Sequence, residues 1–120
     1  MKYLLMIYMN PAAFEALSGE DRDEIFGAHD AFQAQTRSSG ELLGFVALAD
    51  PSHSRSVRVT DGATSATDGP YVEAKEFLAG YYAVECDSVE RAIELAALIP
   101  DARYTAIEVR PVMEEAGLEM

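Results

Sequence analysis

The chain has 120 residues and a mass of 13.1 kDa, 49% hydrophobic and 25% charged, the balance of one soluble globular domain over 1–120. A core of that size needs neither metal nor disulfide, and the lone Cys86 can form no intrachain bridge, so disordered, collagen-like and disulfide-scaffold classes are excluded. The net charge of −12 repels phosphate, which argues against direct nucleic-acid binding and against anionic membranes.

Lys2 to Met9, a continuous apolar run, predicts a buried strand. The run also imitates a short secretion signal, but it is at the lower limit of length for one, so the strand reading and a cytoplasmic location are preferred. No apolar segment reaches the ~18–20 residues of a membrane helix. Asn10-Pro11 ends the strand, and Pro11 suits the first position of a short helical turn through Leu17. Ser18 caps the next helix, with Glu20 and Asp21 in its first turn, Arg37 in its last and Gly40 as its left-handed stop. That pattern predicts a helix over about 19–38.

Leu42 to Leu48 is a second apolar strand, closed by Asp50-Pro51. Arg55 to Thr60 alternates, which predicts Val57 and Val59 inward and Ser56, Arg58 and Thr60 outward. Asp61-Gly62 turns it into a hairpin returning through Ala63 to Thr67, and Asp68-Gly69-Pro70 makes another sharp turn. Residues 71–76 form a loop, and Phe77 to Cys86 a strand in which Gly80 marks a bulge or a close backbone approach. Cys86 itself reads as a small buried hydrophobe. Asp87 with Glu90 opens a helix with the stripe Val89, Ala92, Ile93, Ala96 and Ile99, closed by Pro100. Tyr104 to Val109 is the last strand, and 111–120 a flexible or partner-docked tail.

Without the excursion around residues 55–70, the order is that of a ferredoxin-like split β-α-β fold of the α+β class: an antiparallel sheet with helices on one face. Such strands should alternate, yet Leu4 and Met6 face one way while Leu5 and Ile7 face the other. Each large apolar side chain left in water forgoes ~1.5–3 kcal/mol of burial. The economical cover is a second copy, sheet against sheet, so a homodimer is predicted.

Thr67-Asp68-Gly69-Pro70-Tyr71, Glu73, Lys75-Glu76, Leu78, Gly80-Tyr81-Tyr82 and Glu108 to Glu114 resemble, in order, the YCII-related family. More closely they resemble its DGPF branch, with Tyr71, Ala74 and Ala79 as departures from that branch's Phe, Thr and first Gly. The resemblance implies a dimeric α/β barrel with a cleft between subunits. It also implies a His–Asp acid–base pair, as suggested for the wider group, and association with sigma factors of the extracytoplasmic-function type.

His29 lies on the first long helix beside Ile25 and Phe32. It is either a general base or a half-buried histidine bonded to a backbone carbonyl. Asp68 either forms its turn or orients His29. Tyr71, Glu73, Lys75, Tyr82 and Arg58 are the candidate substrate-binding residues, against a plainer reading as core or interface aromatics and solvated charges. Two histidines and one cysteine, with no H-E-x-x-H, Walker or G-x-G-x-x-G pattern, predict no metal and no cofactor. Two functions follow. One is a cofactor-free proton-transfer or lyase-type enzyme holding a small organic molecule near His29, Asp68 and Tyr71. The other is a regulatory or ligand-binding protein with a sigma factor as partner.

Overall fold

The computed structural model describes residues 1–117 and divides them between two sheets. The larger contains β1 (Lys2–Met9), β2 (Leu42–Ala47), β5 (Phe77–Glu85) and β6 (Ile107–Pro111), all antiparallel in the order β2-β5-β1-β6. With α1 (Pro11–Glu15), α2 (Gly19–Ser39) and α3 (Val89–Ala97) between them, this is the predicted ferredoxin-like α+β arrangement. The smaller sheet is the hairpin of β3 (Arg55–Thr60) and β4 (Ala63–Asp68). Short 3-10 turns occupy Pro51–His53 and Pro100–Arg103.

The helix ends follow local chemistry. Asn10 caps α1 by accepting from the Ala13 amide, and Ser18 Oγ caps α2 by accepting from the Asp21 amide at 3.0 Å. Gly40, at φ 80°, ends α2 in the left-handed region that favours glycine, and its amide bonds back to the Arg37 carbonyl. The cap of α3 is Ser88, not Asp87: its hydroxyl sits three residues before Arg91 and accepts that amide at 3.2 Å. Because α3 meets the sheet on a shifted face, its buried side chains are Ala92, Leu95 and Ala96, continued by Ile99. Val89 and Ile93, predicted for that stripe, are exposed. The last strand starts at Ile107 instead of Tyr104. The Pro100–Arg103 turn draws the amides of Tyr104 and Thr105 to the Asp101 carbonyl, which keeps them off the ladder.

Tyr3, Leu5 and Ile7 of β1 join Phe32 of α2, Tyr82 and Val84 of β5, and Leu95 and Ile99 in one core, so both long helices cover the same sheet face. Cys86 is buried there. The other face carries Leu4 and Met6, half-buried. Of the tail 111–120, Val112 bonds to the Lys2 carbonyl and Glu115 pairs with Lys2 Nζ at 2.6 Å; residues 118–120 lie outside the described residues. No helix among the described residues is long and apolar enough to cross a membrane.

The hairpin departs most from expectation. Val57 and Val59, predicted inward, are 64% and 68% exposed, because among the described residues β3 and β4 pair only with each other and no layer lies over them. The radius of gyration is 16.4 Å. A compact chain of this length has about 13.6 Å. The arm stands off the body.

Arg91 on α3 clamps Glu41, just before β2, through two bonds of 2.9 Å. That guanidinium holds the Glu41 carboxyl below its ordinary 4.5. A lowered folded-state value means the clamp stabilises above about pH 4.5 and is lost as pH falls through the folded value. Glu41→Gln should therefore lower the urea midpoint at pH 7, and by progressively less as pH falls below about 4.5. A difference that does not shrink as pH falls would show that the carboxylate charge is not the cause.

Candidate functional site

A cavity of about 410 Å³ lies between α2, the Pro100–Arg103 turn and the β2–β5 side of the sheet. Its wall is mostly apolar and aromatic, with Ile25 and Phe26 from α2, Phe45 from β2, and Phe77 and Tyr81 from β5. The lining also includes His29, Gln33, Tyr82 and Asp101. These four are joined to one another.

His29 sits one turn after Ile25 and one turn before Phe32, so the stripe that packs α2 onto the sheet also aims the imidazole at β5. Tyr82 points to the core from the middle of β5, beside Leu5 of β1 and Phe45 of β2. Phe32 holds its ring at 4.6 Å between centroids, and the His29 ring stacks on it at 5.9 Å. Gln33, four residues after His29, reaches the same point from α2. Asp101 comes from the turn after α3, next to the buried Pro100.

His29 Nε2 lies 2.6 Å from Asp101 Oδ1, and Nδ1 lies 2.8 Å from the Tyr82 hydroxyl. Gln33 Nε2 donates to that hydroxyl at 3.1 Å. A carboxylate can only accept, so in the neutral imidazole the hydrogen is on Nε2 and Nδ1 is the acceptor. Tyr82 then donates to Nδ1 while accepting from Gln33. In that neutral form every hydrogen has a partner. Burial pushes the Tyr82 phenol above its ordinary 10.0; the Gln33 bond opposes this, and the charges of Asp101 and Asp30 add to it. The phenol therefore keeps its proton through neutral pH. A proton arriving at the phenol oxygen can displace the existing one onto Nδ1, where Asp101 stabilises the imidazolium.

The histidine and tyrosine singled out from sequence are thus brought together, but the aspartate is a different one. Asp68 stands on β4 with an 88% exposed side chain and meets Arg55 at 3.6 Å. Both nitrogens of His29 are already engaged, so the expected His29–Asp68 pair does not form within the chain. Tyr71 is exposed and lies beneath the Arg58 guanidinium, 5.2 Å from its ring centroid. Glu73 and Lys75 are exposed in the 71–76 loop. The cause is shared: the arm carries residues 55–68 away from the sheet, and the loop follows it. Sequence reasoning missed Gln33 and Asp101. The spacing of Gln33 from His29 was a usable signal, whereas Asp101 is marked only by Pro100 before it. Among the described residues, no three His, Cys, Asp or Glu side chains gather into a set that could hold a metal ion.

A family model described as the YCII-related domain matches residues 1–116. The chain is also similar to an uncharacterized protein of Rhizobium meliloti (strain 1021), at 28% identity over 114 residues, covering 93% of this chain and 92% of that protein.

Proposed function

The chain belongs to the YCII-related family, and from that premise we propose that it binds a small organic molecule in the His29 cavity and moves protons on it as a cofactor-free, lyase-type acid–base enzyme. One observation carries the reading: the unbroken series Gln33, Tyr82, His29, Asp101 lines a cavity that is otherwise mostly apolar. A histidine kept only for packing needs a single partner, such as a backbone carbonyl. Here both nitrogens face ionisable side chains.

Tyr82 is the group the substrate meets. As an acidic substrate proton passes to the Tyr82 oxygen, the phenolic proton passes to His29 Nδ1, and Asp101 takes the orienting role expected of Asp68. Return of the proton to another substrate atom isomerises; departure of a leaving group completes an elimination. A regulator that only docks on a sigma factor has no need of such a relay, so the enzymatic reading is preferred. The protein acts as a homodimer, its second copy covering the sheet face of Leu4 and Met6.

Hydrogen–deuterium exchange on small uncharged ketones, followed by NMR in D2O, tests the chemistry. A ketone that binds should exchange its enolisable hydrogens with the wild type and ~10²–10⁴-fold more slowly with His29→Gln at equal occupancy. Equal exchange by both proteins would overturn the assignment.

A further inference from the structure

Among the described residues the β3–β4 arm pairs with nothing but itself, and a lone two-stranded hairpin is marginal in water. Val57 and Val59 lie on one of its faces and stay exposed among the described residues. At the root of the arm is a groove of about 600 Å³, its apolar lining including Tyr8, Leu48, Val72, Phe77 and Leu78. The arm's own valines do not line it. We infer that each groove receives the hairpin arm of a second copy of this chain, with Val57 and Val59 set against Leu48, Val72 and Phe77.

Three features select a second copy. Donor arm and acceptor groove adjoin in one chain, so a single two-fold axis seats both arms at once and leaves none unpaired. Tyr8 stands on the same β1 face as Leu4 and Met6, so the groove continues the surface proposed for sheet-to-sheet contact. Charge agrees as well. Residues 53–69 carry Arg55 and Arg58 against Asp61 and Asp68, 2 − 2 = 0, so the whole −12 belongs to the remainder. The arm is the segment an acidic body does not repel, and the acidic side chains lining the groove are Asp50 and Glu76.

The docking has a consequence for the site. Leu48, Asp50 and Phe77 line both the groove and the His29 cavity, so an incoming arm backs the wall of the partner's cavity. This consequence rests on the proposed function; the docking itself does not.

The exposed valines allow a clean test on the full chain. Wild type should run in light scattering at twice 13.1 kDa. Val57→Asp with Val59→Asp should run at the single-chain mass with an unchanged circular dichroism spectrum, since neither side chain is buried in one chain. Mixed chains bearing Val59→Cys and Val72→Cys should cross-link to each other under mild oxidation. A double-aspartate variant that remains dimeric, or mixed chains that give no heterologous disulfide, would overturn the arm docking and leave a homodimer standing. A monomeric wild type would overturn both. Either result leaves the ketone exchange assay as a separate test of His29.

Discussion

Truncating Leu5 to alanine should lower the unfolding free energy by about 3–5 kcal/mol. Leu5 is 0% exposed at the centre of β1, paired with Tyr82 on one side and Val109 on the other. Its side chain belongs to the core that both long helices share with the sheet. Neighbours held by two ladders and a helix layer cannot collapse into the space, so the cavity cost adds to the lost burial. Domains of this size have about 5–15 kcal/mol in total, so the variant should retain only part of a cooperative transition at 37 °C. The chain has no tryptophan, so urea unfolding is best followed by circular dichroism, at one fixed protein concentration. A loss below about 1 kcal/mol would mean that the core is not closed around this residue.

Gly80→Ala should displace β2 and open the wall of the His29 cavity. A Cβ on Gly80 would come within 2.2 Å of the Val46 carbonyl oxygen and 3.2 Å of Ala47 Cα. Both atoms are backbone, so no side-chain rotation relieves the contact. The strand must move, and overpacking of this kind costs ~1–3 kcal/mol or more. The pairs Val46–Tyr81 and Ala47–Gly80 then go, together with the Leu48 amide bond to Ala79. Phe45, Val46, Ala47 and Leu48 all line the cavity, so the expected local signature is fast amide exchange over 44–48 while Leu4 to Ile7 stay protected. Native protection across 44–48 in the variant would contradict it.

Gly80 also shows how far a sequence can be read. A glycine inside an apolar strand signals a bulge or a close approach, and the structure has both: Ala79 is skipped between the Ile7–Gly80 and Tyr8–Leu78 pairs, and β2 passes directly over Gly80. The long helix, its Ser18 cap and its Gly40 stop are legible for the same reason, since each depends on residues within one turn. Where a boundary depends on distant contacts, local composition misleads. Tyr104 to Ala106 have strand-like composition, but Thr105 Oγ bonds to the Tyr8 carbonyl and holds them outside the ladder. The alternation in β3 is a sound guide to the strand and a false guide to burial, because alternation names a face and not what covers it.

The site divides in the same way. His29 is visible because its position on the helix stripe is a local property, and Tyr82 because it lies in an aromatic strand. Asp101 is not, because its approach to His29 crosses 72 residues of chain and requires α3 to end where it does. Asp68 is favoured by its motif, yet the last residue of β4, paired with Arg55 on a projecting hairpin, does not reach the helix face within one chain.

The proposed chemistry requires His29 to be held as one tautomer between Tyr82 and Asp101. Two-bond proton–nitrogen correlation at pH 8 reads this directly on ¹⁵N-labelled protein. His29 should show a protonated Nε2 and an unprotonated Nδ1, with the exposed His53 as the averaging reference, and Asp101→Ala should return His29 to the averaged pattern. A wild-type His29 that averages like His53, or that carries its hydrogen on Nδ1, would contradict the relay through Tyr82.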